Sequence, residues 1–499
     1  MNKSQKLFST SLLALVISGC AVTSQPIDRS FSEQRAKSDL LSMFKDQEPL
    51  NGPLSMHEAM ARAVKYNLEA RLKVMEEALA QRQVDLASFD MLPRMALQGG
   101  YAGRSNISAS SSQSIETGTQ SLEPSTSQDR DRGVADLTMV WNVLDFGVSY
   151  VGAKQQSDQR LIVQERRRKV VNTIIQDVRS AYWRAVAAER LLTQIDRLMV
   201  RVDEARSNSQ RLSEQRIGDP IQAMSYQRAL IEATRQLEDQ RRALSLAKTE
   251  LATLINLPMG ADFRLLAPDG YEVPVLKVEL TRMEEEALAN RPELREQDYQ
   301  TRISAAETRK AMLRLLPGLE FSAGGHYDSN SFLVNQSWAD YGVKITWNLF
   351  NVLSGPAAIN AAKAGEAVAA ARRQAMSMAV LAQIHVANAN FHEAQRQFQT
   401  SQQLAQLDSQ IAEQLRNRYK AQAIGELDLI QGELNALQAD LRRDLAYAQL
   451  RNSYGQLFAS AGLDPLPAEL PSTQLSAIAQ ALTDSEARWQ KGDLHALAL

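Results

Sequence analysis

The chain has 499 residues, with 56 Lys and Arg against 58 Asp and Glu, a net charge of −2 and a single cysteine. That balance argues against nucleic acid as the main partner, and one thiol excludes any intramolecular disulfide. After residue 20 no apolar run is long enough for a spanning helix, which takes roughly 20 residues, so any passage through a bilayer would be as a β-barrel.

The first element is an export signal. Lys3 and Lys6 precede the apolar run Leu7 to Ile17, too short to cross a membrane, so residues 1–19 read as a signal peptide. The run ends in Ile17-Ser18-Gly19-Cys20, small residues directly before the only thiol. This resembles a bacterial lipoprotein signal. The resemblance implies cleavage before Cys20, lipid attachment (palmitate) there and, with Ala21 following where Asp would favour retention, sorting to the outer membrane. An ordinary signal peptide with a chance cysteine is the alternative. Residues 20–53 read as an N-terminal linker.

From residue 54 the chain states one plan twice. ARAVKYNLEAR (61–71) aligns with EEALANRPELR (285–295) at an offset of 224, as does Pro93 with Pro317. Further on, Trp141-Asn142 aligns with Trp347-Asn348 at 206, and Gly218 with Gly425 at 207. The fall in offset places an insertion between Pro93 and Trp141. That interval holds RSNISASSSQSIETGTQSLEPSTSQDRDRG, which reads as a long flexible loop. The period lies far outside the solenoid range. An internal duplication is expected, with repeats over 54–278 and 279–465 and a tail over 466–499.

Within each repeat the order is the same. An apolar-periodic helix comes first (54–90 and 279–315), with Ser55 and Glu58 as a capping box on the first copy. A proline and a β-hairpin follow, at about 94–144 and 318–350, then a long helical hairpin at about 148–257 and 355–462. No proline interrupts the chain between Pro124 and Pro220 or between Pro356 and Pro465. Helices that long would run roughly 100 Å at 1.5 Å per residue. Leu230, Leu237, Leu244 and Leu251 recur every seven residues, and Leu427, Ile430, Leu434, Leu437 and Leu441 step by three and four, the seam of packed long helices. The expected fold is mainly α with a small β part. Two hairpins give four strands, too few to close a barrel alone; three chains would supply twelve.

On the motifs ALANRPELR, the strand entries Pro93 and Pro317, the exits WNVLDFG and WNLF, and the turn RYKAQAIGELDLIQ, the chain resembles the TolC-like outer-membrane efflux and secretion channels. The resemblance spans roughly 54–465. It implies a homotrimer whose twelve-stranded barrel in outer-membrane lipid is continued by a periplasmic α-helical barrel. It further implies docking to a periplasmic adaptor protein and, through it, to an inner-membrane pump of RND or ABC type. Type I protein secretion uses similar channels and stands as an alternative role.

The family closes its periplasmic end at the turns between long helices, here about 214–220 and 421–427. The resemblance makes Asp428, Glu426 and Asp219 candidates for that constriction, with Gly218, Gly425 and Tyr419 at the adaptor-facing tips. Gln422 departs from the pattern, since it stands where the family has glycine; Gly425 and Gly218 lie three residues beyond the expected places. Glycine at such a turn can take the positive φ of a helix C-cap. Three copies of one carboxylate around an axis would favour cations, although acidic groups in a first helical turn also suit the helix dipole.

Tyr101, Trp141, Tyr327 and Trp347 fall at strand ends, either as an interfacial girdle or as ordinary β packing. No constellation for catalysis, cofactor or metal is legible: His385 and His392 share a helix face without a partner at metal-ligand spacing. An enzyme is not expected. The basic run QERRRKVV (164–171) reads as a solvated helix face, with adaptor contact as the alternative. A lipid-anchored coiled-coil scaffold without a pore is the rival of a different class, and the two Trp-Asn hairpins count against it.

Overall fold

The computed structural model describes residues 24, 26–214, 220–267, 270–467 and 472–494. The signal segment, Cys20, Gly218 and Asp219 lie outside them. In chain order the first half holds α1 (Arg29–Met43), α2 (Met56–Tyr66), α3 (Leu68–Phe89), β1 (Arg94–Gly103), β2 (Ala109–Ser110), β3 (Ser125–Thr126), β4 (Asp131–Asn142), α4 (Val143–Glu214), α5 (Pro220–Ser245) and α6 (Ala247–Leu254). The second holds α7 (Leu280–Asn290), α8 (Pro292–Leu313), β5 (Gly318–Asp328), β6 (Ser337–Thr346), α9 (Phe350–Lys420) and α10 (Glu426–Ser460), followed by α11 (Leu475–Lys491).

The opening helix of each repeat is broken, where the sequence suggested one continuous element. The breaks fall at Asn67 (φ −59°, ψ 130°) and Arg291 (φ −60°, ψ 128°), residues related by the same offset of 224. Different chemistry produces each. Asn67 turns its side-chain oxygen onto the amides of Glu69 and Ala70, at 2.9 and 3.2 Å, and caps α3. Arg291 precedes Pro292, whose ring disfavours the helical region for the residue before it.

The Trp-Asn motif is a strand-to-helix joint. Asn142 Oδ1 accepts from the Leu144 and Asp145 amides at 2.9 and 3.3 Å, and Asn348 Oδ1 from the Phe350 amide at 3.1 Å. Each asparagine thereby satisfies orphan donors at the start of a long helix. The helices α4 and α9 have 72 and 71 residues, roughly 108 and 107 Å at 1.5 Å per residue. Their return arms are about a third and a half as long: α5 has 26 residues and α10 has 35. The hairpins are therefore lopsided. The half of α4 near the strands is flanked by α3 and α8 instead, and that half of α9 by α8.

Four strands form one antiparallel sheet in the order β1-β4-β5-β6, so the two hairpins join through β4 and β5. The sheet's outer edges, β1 and β6, are unpaired within the chain. Register sorts the side chains by face. Leu97 lies opposite Leu137, Met95 opposite Met139, Trp141 opposite Phe321 and Phe321 opposite Val343, with Tyr341 and Ile345 at alternate positions along β6. The other face carries Gln98, Asp136, Ser322, His326, Asp340 and Lys344. The Ser/Thr-rich insertion is not a featureless loop: β2 pairs with β3, and a Gln113–Gln120 bridge extends that small hairpin. Its base is tied to the β5–β6 turn, where buried Asn330 accepts from the Asp129 amide at 3.0 Å and donates to the Ser127 carbonyl at 3.0 Å.

The core lies where the short helices meet the long ones. Leu230, Leu237, Leu244 and Leu251 are all buried, as are Ile430, Leu434 and Leu437. Tyr182 donates to the carbonyls of Leu54 and Leu266, at 3.0 and 2.7 Å, pinning the Leu54–Leu265 bridge onto α4. In the tail, α11 packs against α2, and Trp489 stacks on Phe458 with centroids 4.9 Å apart and planes 6° from parallel.

The run 164–171 is only partly solvated, Arg166 and Lys169 being exposed, and its cations are paired with other segments. Arg166 pairs with Glu296 (2.7 Å), Arg167 with Glu77 (3.0 Å), Arg168 with Asp464 (2.6 Å) and Lys169 with Glu293 (3.4 Å). Four successive cations thus bind α4 to α3, to α8 and to the segment after α10.

Candidate functional site

Two regions hold the residues singled out by sequence: the turn between α9 and α10, and the sheet at the opposite end of the long helices.

At the turn, α9 ends in a Schellman motif. The Ala423 amide donates to the Arg418 carbonyl at 2.9 Å and the Gln422 amide to the Tyr419 carbonyl at 2.8 Å. The residue with positive φ is Gln422, at 58°. Gly425 instead has φ −77° and ψ 161° and serves as N-cap of α10, which corrects the expectation that it takes the left-handed conformation. Gln422, where the resemblance leads one to expect glycine, takes the left-handed conformation itself.

Asp428 is exposed, and its Oδ2 accepts from the Gly425 amide at 3.3 Å, so it caps the helix it sits on. Glu426 and Tyr419 flank Tyr226 of α5, a residue the sequence reading missed. Burial pushes the Tyr226 phenol up, and the nearby Glu426 and Tyr419 add to the shift. Farther along, Glu433 accepts from Arg416 of α9 at 3.0 Å and also pairs with Arg201 of α4, tying three helices together.

On the sheet, Trp141 and Trp347 sit at the end nearest the long helices, and Tyr101 and Tyr327 at the far end. Trp141 packs edge-on to Phe146, centroids 5.9 Å apart, and half-exposed beside Phe321. Trp347 lies just beyond β6, which ends at Thr346, and donates Nε1 to the Leu315 carbonyl at 3.0 Å. The β segment is thus shorter than the 318–350 expected. Tyr101 is 78 % exposed and Tyr327 45 %. Trp338 differs: it shares the polar face with His326 and stacks on that ring. No helix among the described residues is long and apolar enough to cross a membrane.

His385 pairs with Glu284 at 2.7 Å, and His392 contacts the Phe391 ring. Among the described residues no group of three or more His, Cys, Asp or Glu side chains is placed to hold a metal ion.

Residues 284–463 match the family model described as "Outer membrane efflux protein". No curated protein matches the chain in sequence. Its fold is similar to that of the CmeC outer membrane channel of Campylobacter jejuni, at 13 % identity over 93 % of this chain and 97 % of that one, with a TM-score of 0.66. The outer-membrane channel OprN shows 17 % identity over 82 % and 89 %, with a TM-score of 0.63. The open state of the MtrE outer membrane channel of Neisseria gonorrhoeae shows 18 % over 81 % and 89 %, with a TM-score of 0.60. The matched segment lies in the second repeat, and the fold over most of the chain is that of these outer-membrane channels.

Proposed function

We propose that three copies of this chain close into a passive export duct through the outer membrane. The carrying observation is the four-stranded sheet. One face is apolar with aromatics at both ends, the other is polar, and both edge strands are unpaired. Unpaired edges are a liability that closure removes. Joining β6 of one copy to β1 of the next gives twelve strands, with the apolar face toward lipid and the polar face lining water. The helices offer a matching seam. Leu68, Leu72, Met75, Leu79, Leu86 and Phe89 are all exposed along α3 at coiled-coil spacing, a stripe that a neighbouring copy would cover.

In this reading α4 and α9 carry the conduit across the periplasm, and their turns form its inner end. Three Asp428 carboxylates, exposed on the tip, line the constriction, with Glu426 beside them. The tips dock to a periplasmic adaptor that links the duct to an inner-membrane pump. Cys20, acylated, tethers the rim and is not what inserts the protein. A pore-free scaffold would have no use for a two-faced sheet. The test is insertion of the full-length protein into planar bilayers together with fractionation of Cys20→Ser. Discrete conductance steps, and a variant that still sediments with outer membranes, support the duct. Absence of conductance, or release of the variant into the soluble periplasm, overturns it.

A further inference from the structure

On the polar face of the sheet, His326 lies between two carboxylates from two other strands. Its Nδ1 is 2.6 Å from Asp136 Oδ1 on β4, and its Nε2 is 3.3 Å from Asp340 Oδ2 on β6. Asp136 is its direct cross-strand partner, but Asp340 lies opposite Gly324, so the ring must lean along its own strand to reach it. Gly324 makes that possible: a Cβ there would sit 2.6 Å from His326 Nε2 and 2.7 Å from Asp340 Oδ1. Trp338 covers the ring, stacked at 5.2 Å and 19°. The imidazole is held by a bare backbone position, an aromatic plate and two anions.

Nδ1 is bonded to Asp136, while buried Nε2 has no hydrogen-bond partner among the described residues and faces the Asp340 carboxylate at 3.3 Å, so a proton on each nitrogen meets an anion only in the imidazolium. With it, the cluster carries one net negative charge per protomer; without it, two. The remaining charged groups on this face lie toward its two ends. Arg132 meets Asp328 at 3.0 Å on the side away from the helices, and Glu320 lies opposite Lys344 on the other side, with Arg94 at the end of β1. Gln98, opposite Asp136, is neutral.

We infer that His326 is a determinant of the duct's charge selectivity, converting proton concentration into the negative charge of a ring near its outer mouth. The inference rests on the trimeric-barrel reading, in which the three clusters face one lumen. A ring of acidic side chains favours cations, and histidine is the side chain that ordinarily changes charge between about pH 5 and 8.

Reversal potentials of the full-length protein in planar bilayers under a KCl gradient test it. Over roughly pH 5 to 8 the K⁺-over-Cl⁻ permeability ratio should rise at least about twofold as the ring loses three protons. In His326→Gln the ratio should stay flat at the high-pH value of the wild type. Asp340→Asn, at a largely exposed position, should lower the high-pH ratio while keeping a pH dependence. A wild-type ratio that does not move with pH, or a pH step that survives in His326→Gln, overturns the inference. If His326→Gln forms no channels, an unchanged high-pH ratio in Asp340→Asn overturns it instead. Failure of the wild type to conduct at all overturns the duct reading on which it rests.

Discussion

Arg451 donates to Glu486 across 2.6 Å inside the protein, joining the long return arm α10 to the C-terminal helix α11. His57 of α2 reaches the other Glu486 oxygen at 2.9 Å, and Arg179 of α4 lies buried beside the group. Burial alone would push the Glu486 carboxyl up. The His57 hydrogen bond and the Arg451 and Arg179 charges outweigh it and hold the carboxyl at about 2.

Glu486→Ala leaves two buried guanidinium groups without their anion and should cost about 3–5 kcal/mol. Because the carboxyl is depressed when folded, its stabilisation is complete above its ordinary value of 4.5 and is lost as the pH falls toward about 2. Thermal unfolding in detergent should show a wild-type Tm that drops through that window and a Glu486→Gln variant whose Tm is lower at neutral pH and changes less. Equal acid sensitivity in both would contradict the assignment.

The Trp-Asn joints make a second, independent prediction. Asn142→Ala removes the acceptor for two amides at the start of α4 and should cost about 1 kcal/mol, while Asn142→Asp should cost little. Hydrogen exchange localises the effect: faster exchange at Leu144 and Asp145 is expected in the alanine variant alone.

At the tip, Gln422 occupies a left-handed position that glycine takes without steric cost. Gln422→Gly should therefore leave the turn intact and shift local stability by no more than about 1 kcal/mol in either direction, since relief of strain offsets the added freedom of the unfolded chain. Gln422→Val, β-branched, should destabilise the turn and accelerate exchange at Ala423. A tolerated valine would mean that the positive φ is dispensable.

Among the cations of the α4 band, burial decides the expected losses. Arg168→Met leaves the buried Glu165 with Arg295 alone, 3.4 Å away, strips the guanidinium from the Asp464 carboxylate, and should cost about 3 kcal/mol. Arg166→Ala breaks a more exposed pair and should cost less than about 1 kcal/mol. Denaturant midpoints that rank the two the other way would contradict the burial argument.

Asp428→Asn keeps an oxygen that can accept from the Gly425 amide but removes its charge. If Asp428 lines the constriction, cation preference in bilayers falls while Tm stays unchanged. If its role is confined to capping, neither moves, and Asp428→Ala lowers stability alone.

Much of the architecture is legible because it rests on periodic or stereochemically special residues. Heptad leucines such as Leu237 and Leu434 mark the seam, and Trp141-Asn142 and Trp347-Asn348 mark the joints at a fixed offset. What escapes is nonlocal. Nothing in QERRRKVV names Glu77, Glu293, Glu296 and Asp464 as its partners, since they come from three separate segments. His326 carries no signal in the sequence because Asp136 lies 190 residues away and becomes its neighbour only through register. The break at Arg291 could have been read from the proline that follows it. The one at Asn67 depends on a side chain choosing to cap, and helix periodicity masks that choice.

The central claim is that β1 of one copy pairs with β6 of the next in a closed ring of three. Disulfide trapping of the full-length protein in outer membranes tests it most directly, with one cysteine placed on β1 at Met95, Leu97 or Gly99 and another on β6 at Tyr341, Val343 or Ile345 to sample register. The account predicts that at least one pair yields a covalent trimer on denaturing gels and nothing larger. Monomers at every pairing, or a ladder extending past the trimer, would contradict it.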